Sequence, residues 1–559
     1  VKMSKWQWLI AVSLGTAITV AGCGSGSGGN TNGSKNSAVT PQSQGSAAST
    51  PSVLKIGPGV SGDFQHVFNP FQGGSAAPGT NGFIYESLFY FNPVGPQQYG
   101  LLASSYKWSH GNKTLTVELR KNVTWTDGKR FTAKDVTFTF GLLKKYPATD
   151  TNGIWNQLSS ISAKGDYEVT FDFKKPNVPF AWYILSTIIV PEHIWAGLGS
   201  PTKAVVQNPV GTGPYKLSSF SPQIIKYQAN DDYYLGKPPV KTVEMQAYAS
   251  NDAETMGLVK HEVDWSGIFI PNIDSVYTSK DANNRYWFPP NDVVMLYANL
   301  KDPLLKQLPV REAISLGINR KELVQKAEDG YVDVASPTGL VLPNNQGWVD
   351  PKLKNTKFTY DPKTAVQILE QAGFKKNSKG IFVSPSGQEL SFTLQIVPGW
   401  SDWNTACSLI ASQLKNIGID VQVQGEQAAA YTSNLTSHKY QLALSWTVAG
   451  PSPYYLYENL LGSNGGWNIE QWHDPGTDKV LQDFATTTNK DRQEADIYSL
   501  EHTMVQKLPA IPLFYGVHWS EYNDKQFKGW PTADNPYANP APYEWPGPEI
   551  VLMHLKPAD

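Results

Sequence analysis

Alternation and helical spacing of apolar residues divide this chain into a mixed α/β pattern. Residues 115–119 alternate, with Leu115, Val117 and Leu119 on one face, and residues 168–173 do the same. Between them, residues 132–146 carry Ala133, Val136, Phe140 and Leu143 at helical spacing. Thr132 is placed to cap that helix, and Asp135 stands at its third position, where a carboxylate suits the dipole. The order predicted is strand, helix, strand. Residues 309–318 predict a further helix through Val310, Ala313, Ile314 and Gly317, followed after Asn319 by a short one to Ala327. Residues 362–372 predict a helix closed by Gly373. Residues 390–397 predict a strand, 404–416 a helix striped by Ala406, Leu409, Ile410 and Leu414 and ended by Gly418, and 419–423 a strand. Strand, helix, strand in this order makes a parallel unit, and such sheets bind ligands at strand C-termini. Trp400 and Trp403 fall in a loop of that kind.

The N-terminus has a different pattern. Lys2 and Lys5 precede an apolar run from Trp6 to Val20, then Ala21-Gly22-Cys23, then a polar tract to about Ser52 whose only charge is Lys35. A basic start, a short apolar core and small residues predict a secretory signal. The terminal cysteine makes it similar to a lipoprotein signal cut before Cys23. Residues 1–22 are thus read as signal peptide, Cys23 as the lipidation site and 23–52 as a disordered tether. The apolar run falls short of the roughly 20 residues of a transmembrane helix. The expected location is the outer face of a bacterial cell membrane, or the periplasm, with a lipid anchor as the membrane contact.

Composition narrows the function classes. Beyond the signal the chain is too long for one core and implies two or three domains. Its formal charge is -2, with 17% charged residues and no basic patch, so nucleic acid is not an expected partner. Low charge also suits an acidic medium. The two cysteines are Cys23 and Cys407; lipid on the first leaves no intrachain disulfide, and Cys407 reads as a small buried hydrophobe. The 18 Trp, 27 Tyr and 22 Phe are enough to fill cores and also to line a ligand cleft. No phosphate loop, zinc cluster or nucleophile elbow is present, and Gly211-Thr212-Gly213-Pro214 lacks the Lys-Ser/Thr of a phosphate site. No catalytic residue, metal or cofactor is therefore expected, and an extracellular hydrolase remains only as the rival class.

Six motifs in order carry a resemblance. They are Asn69-Pro70 with Tyr85-Glu86-Ser87-Leu88; Trp125-Thr126-Asp127-Gly128 with Phe131-Thr132-Ala133-Lys134-Asp135-Val136; and Pro209-Val210-Gly211-Thr212-Gly213-Pro214-Tyr215. Tyr297-Ala298-Asn299 with Val310-Arg311-Glu312-Ala313-Ile314 and Ile318-Asn319-Arg320 follows, then Ile417-Gly418-Ile419-Asp420-Val421 and Leu508-Pro509-Ala510-Ile511-Pro512-Leu513. Over about 53–555 the chain resembles the bacterial extracellular solute-binding proteins of family 5, which serve dipeptide and oligopeptide ABC importers. The motifs read physically as structure. Asp127-Gly128 is a tight turn, Gly211 to Pro214 a sharp path suited to a domain crossing, and Arg311 and Arg320 surface charges by default.

The resemblance implies a two-lobed α/β fold like that of periplasmic binding proteins (type II, cluster C) with a third small domain. It places lobe I at 53–84, 211–298 and 509–559, the small domain at 85–210 and lobe II at 299–508. Two chain crossings would form a hinge, and ligand would favour the closed state. Implied partners are ABC permease subunits with cytoplasmic ATPases, and a monomer is expected. In peptide-binding members a Trp followed three residues later by an Asp bears on the ligand, the Asp taking its N-terminal ammonium. Here Trp446 is kept but Ala449 stands at the Asp position, and Ala443 where an Arg can occur; Glu426 is the nearby acid that could serve instead. Another branch of the family is similar to cello-oligosaccharide binders. For sugars, Trp400, Trp403, Trp446, Tyr454, Tyr455 and Trp467 offer stacking faces, and Asn299, Asn404, Gln424 and Glu426 offer polar contacts. The expectation is a binding protein for peptides, with oligosaccharides as the alternative.

Overall fold

The computed structural model describes residues 53–558 apart from Val60, Gly399 and Gln427; the signal, Cys23 and the tether lie outside the described residues. Three sheets organise the rest. A seven-stranded sheet runs, edge to edge, Asn284–Tyr286, Glu521–Asn523, Trp265–Ser266, Val53–Ile56, Thr242–Gln246, Ile224–Ala229 and Tyr215–Phe220. A five-stranded sheet runs Asp420–Gly425, Ser391–Ile396, Leu442–Ser445, Pro290–Ala298 and Ile511–Val517. A four-stranded antiparallel sheet, Ala103–Ser109, Thr114–Leu119, Glu168–Phe173 and Leu158–Lys164, forms the small domain. The two larger sheets make two lobes of an α/β fold.

Local chemistry explains the small domain's helix, Ala133–Lys145. The Thr132 hydroxyl accepts from Lys134 N at 3.3 Å, and the Asp135 carboxylate accepts from Thr132 N at 2.9 Å. These bonds satisfy first-turn amides that have no partner within the helix. Ala133, Val136, Phe140 and Leu143 are buried as the spacing predicts, and Phe140 meets Phe171 of the sheet at 5.0 Å between ring centroids. The small domain shares one buried hydrophobic cluster with its lobe, and the chain returns beside its outgoing path. Gly213 N and Tyr215 N donate to the carbonyls of Ile84 and Phe83, both at 3.0 Å, so the returning chain lies against the outgoing one. A Cβ on Gly211 would stand 1.8 Å from Ile84 O, which only glycine avoids.

In the five-stranded sheet, Ser391–Ile396 pairs in parallel with Asp420–Gly425 on one side and Leu442–Ser445 on the other. The helix Ser401–Asn416 makes the crossover and buries Ala406, Cys407, Ile410 and Leu414. Gly418, with φ of +88°, turns the chain into the next strand. The helix begins three residues earlier than its spacing predicts, so Trp403 stands in its first turn and not in the loop. The helices Leu308–Gly317, Arg320–Ala327 and Pro362–Gln371 form where expected.

Two boundaries differ from the expected lobes. Pro290–Ala298 was assigned to lobe I with 211–298, and Ile511–Val517 with 509–559, yet the two strands pair with each other inside the five-stranded sheet. The first is buried at every position from Val293 to Ala298, so it needs cover on both faces and belongs to the interior of a sheet. The chain therefore crosses between the lobes at 287–289 and 518–520. There Trp287 N donates to Ser520 O at 3.0 Å and His518 N to Pro289 O at 2.9 Å, so the two crossings run side by side.

Arg311 and Arg320 are not surface charges. Arg311 is buried and donates to the carbonyls of Leu305, Lys306, Lys507 and Leu508 at 2.7–2.8 Å. Two of these acceptors, Lys507 and Leu508, lie at the C-terminus of the helix Lys490–Lys507, the end that attracts a cation. Arg320 donates to Pro512 O at 2.7 Å and to Ser315 O and Oγ at 2.9 Å, with the Phe358 ring centre 3.5 Å from its guanidinium carbon.

Candidate ligand-binding cleft

Strand direction gathers the candidate site at one edge of the five-stranded sheet. The three parallel strands end there, at Ile396, Gly425 and Ser445. Pro290–Ala298 is antiparallel to them and begins there, and Ile511–Val517 ends there. The lobe crossings leave from the same edge, so residues just beyond five strand ends face the junction between lobes. This is where open α/β sheets hold ligands.

Four indoles converge on that edge. Trp400 follows the first parallel strand and Trp446 the third. Trp400 lies 5.3 Å from Trp403 and 5.9 Å from Trp446, and Trp403 lies 6.1 Å from Trp446, all as centroid distances. Trp467 stacks on Trp446 at 5.7 Å with planes 15° apart, and its Nε1 donates to Trp446 O at 3.1 Å. All four are half-buried. Asn404 holds the Trp400 loop in place by donating to the carbonyls of Val397, Pro398 and Trp400 at 2.7–3.0 Å.

A cavity of about 300 Å³ opens beside the rings, lined by Trp400, Trp403, Trp446, Phe514, Trp519 and the carboxylates Asp292, Glu328 and Asp402, among others. Burial pushes the Asp292 carboxyl up to about 7 and Glu328 up to about 8, the latter also repelled by Asp402. Asp402 is raised as well, again chiefly by burial. Asp292 Oδ1 and Glu328 Oε1 are buried without a hydrogen-bond partner. A second cavity, about 360 Å³, lies between the lobes and the small domain; its walls include Ala449, Asn291, Tyr90, Trp182, His518 and Glu544. The Glu544 side chain is 46% exposed, and its charge adds to the rise at Asp292. His518, 3.9 Å from Glu544, is pushed down to about 3 by burial and is neutral, so it gives the acids no counter-charge. Among the described residues no group of three or more His, Cys, Asp or Glu is placed to hold a metal ion.

The sequence candidates separate into two groups. Trp400, Trp403 and Trp446 line the first cavity, and Trp467 backs Trp446. Tyr454 is buried and stacks on Phe484 at 4.8 Å. Tyr455 is buried against the small domain, edge-on to Trp182 at 4.7 Å, with its hydroxyl donating to Pro179 O at 2.5 Å. Asn299 lies at the opposite end of its strand, donating to His438 O and Tyr440 O and accepting from Gln471 Nε2 and Lys301 N. Glu426 is not among the residues lining the two cavities, and its carboxylate accepts from Gln424 Nε2 at 2.6 Å. Sequence reasoning passed over Asp292, Glu328, Asp402, Trp519 and Glu544. Asp402 had a signal, since it sits between two tryptophans, and so did Asp292, an acid opening an apolar strand. Glu328, Trp519 and Glu544 come from distant segments with no local mark.

Residues 97–468 match the model of the family described as bacterial extracellular solute-binding proteins, family 5 Middle. The oligopeptide-binding protein AppA of Bacillus subtilis is 27% identical over 433 residues, 74% of this chain and 77% of AppA. The periplasmic oligopeptide-binding protein of a Thermotoga maritima oligopeptide ABC transporter superposes with a TM-score of 0.83 at 27% identity, covering 90% of this chain and 99% of its own. A mannohexaose-bound form of that protein superposes with a TM-score of 0.75 at 26% identity, covering 90% and 98%.

Proposed function

We propose, since the chain belongs to family 5 of the bacterial extracellular solute-binding proteins, that its cleft captures peptides by their amino terminus. The family supplies the binding component of transport outside the cell, so the chain is a binding protein and not an enzyme. The observation that carries the ligand is Asp292, which lines the first cavity beside Trp446 with a buried, unpartnered oxygen and feels the charge of Glu544, a residue of the second cavity's wall near Ala449. Ala449 offers no charge at the segment after Trp446, but Asp292 reaches the junction from the start of the strand Pro290–Ala298 and Glu544 from the turn before the helix Gly547–His554, with the neutral His518 3.9 Å from Glu544. Asp292 has a buried oxygen with no hydrogen-bond partner, a costly state that an incoming ammonium relieves, while the exposed Glu544 adds negative charge at the mouth. Calorimetry with pentaalanine and its N-acetylated form tests the assignment. The free amine is expected to bind at least about tenfold tighter, and Asp292→Asn to erase the difference. Equal binding of the two forms would sink it.

Oligosaccharide capture is the second reading, favoured by the four indoles and by the mannohexaose-bound relative. Against it, Trp400 meets Trp403 and Trp446 at 79° and 61°, so these rings do not form the flat row that consecutive pyranose units stack on. Mannohexaose binding with no response to either peptide would replace the peptide reading. The same proposal includes a lipid on Cys23 and delivery to ABC permease subunits driven by cytoplasmic ATPases. Cys23→Ser is expected to move the protein from the membrane fraction into the medium, and retention at the membrane would rule the anchor out.

A further inference from the structure

The first cavity is lined by three carboxylates: Asp292, assigned above to the peptide amine, and two further acids, Glu328 and Asp402. Glu328 and Asp402 repel each other, and each lines the cavity beside Trp400, Trp403 and Trp446. Glu328 is only 3% exposed, its Oε1 has no hydrogen-bond partner, and none of the described residues lining the cavity is Lys, Arg or His. It also caps the C-terminus of the helix Arg320–Ala327, the end whose dipole disfavours a negative charge. Burial, a neighbouring carboxylate and a helix end thus all act against Glu328, and nothing in the cavity wall answers them. Asp402 stands in the first turn of Ser401–Asn416, where the dipole favours its charge. Aromatic rings make up much of the remaining wall, and such surfaces cover an alkyl stem and attract a cation to the ring face. The volume of about 300 Å³ is at the small end of ligand pockets, suited to one side chain.

We propose that the cavity walled by Glu328, Asp402 and the indoles of Trp400, Trp403 and Trp446 is a subsite for a basic side chain of the bound peptide, an ammonium or guanidinium on an alkyl stem. The proposal rests on the peptide reading and makes the protein selective for basic peptides. The cation pairs with Glu328 and Asp402 while its stem lies on the rings.

Calorimetry with Ala-Ala-Arg-Ala-Ala and the same peptide carrying citrulline tests it, because the two share an amino terminus and differ only in charge. The arginine peptide is expected to bind at least about tenfold tighter to the native protein. In Glu328→Gln with Asp402→Asn the ratio is expected to fall to near one, with the citrulline peptide changed by less than about twofold. A melting temperature for Glu328→Gln equal to or above that of the native protein shows that the fold is intact, since the change removes an unpaired buried acid. Equal affinities for the two peptides overturn the subsite. Should neither peptide bind, the peptide reading fails, and agmatine, a free alkylguanidinium, decides the subsite alone. Quenching of indole fluorescence by agmatine in the native protein, lost in the double variant, upholds it; no quenching overturns it.

Discussion

A side chain at Gly211 has nowhere to go, because its Cβ would lie 1.8 Å from Ile84 O and 2.8 Å from Ile84 Cγ2. Gly211→Ala is expected to push the segments at Ile84 and Gly211 apart and cost about 3 kcal/mol or more, measured by denaturant unfolding. Arg320 makes the opposite case, a charge that the interior requires. Its guanidinium satisfies Pro512 O and Ser315 O, so Arg320→Leu leaves those acceptors bare and is expected to cost about 3 kcal/mol in the same measurement. Residue type alone reads both arginines as exposed, since what buries them is a ring of carbonyls that the fold assembles from distant segments. Glu328, only 3% exposed, is likewise buried by segments that the sequence does not bring together. Trp446 was readable from the family resemblance, as the Trp that stands three residues before the Asp position held here by Ala449. Its partner Trp467 comes from the loop beyond the helix Pro453–Leu461, and stacking at 5.7 Å and the bond from its Nε1 to Trp446 O tie the two together.

At the scale of elements, information is local where caps are local. Thr132 and Asp135 close a capping box, and the helix Ala133–Lys145 starts where the sequence predicts. Thr132→Ala is expected to cost about 1 kcal/mol in thermal or denaturant unfolding. The helix Ser401–Asn416 has Trp400 at its N-cap position, with no side-chain cap bond, and its start was misread for that reason. Its first turn is held by Asn404, which bonds back to three carbonyls of the preceding loop. Asn404→Ala is expected to free Trp400 and weaken ligand binding by about three- to tenfold, measured by calorimetry, with little change in melting temperature. The strand Pro290–Ala298 shows the limit of local reading. Its apolar run predicts burial, but which of two sheets buries it depends on partners more than a hundred residues away.

The molecule as a whole carries an unusual load of buried acids. Burial pushes Glu254 and Asp292 up to about 7, and Glu328 and Glu501 up to about 8, while Glu470, Glu521 and Glu549 are raised well above the ordinary range. Below the ordinary value each carboxyl is protonated in both folded and unfolded chains. As pH rises, the unfolded chain releases the proton first, so stability falls until the folded groups ionise as well. His518 opposes this trend: burial lowers it to about 3, so acidification below 6.5 protonates the unfolded chain first and costs stability. Asp127, Asp350 and Asp474 are held below the ordinary range, and their contribution is lost as pH falls through their lowered values. The raised acids outweigh these, so the melting temperature is expected to rise from pH 8 to about pH 5 and fall again below about pH 4. A flat profile across pH 5–8 in differential scanning calorimetry would contradict this balance.

Alternation, helical spacing and caps were enough to read the α/β class, the small domain's strand-helix-strand order, the parallel unit around Ser401–Asn416 and the indoles at its ligand-facing edge. Motif order was enough to read the family. These features depend on neighbours within a few residues or on a linear order, and a chain displays both. The lobe boundaries, the burial of Arg311 and Arg320, and the acids facing the cleft were decided by tertiary structure. Each depends on which distant segments meet, and an acid becomes a ligand-binding group only when the fold takes away its water and leaves it no cation.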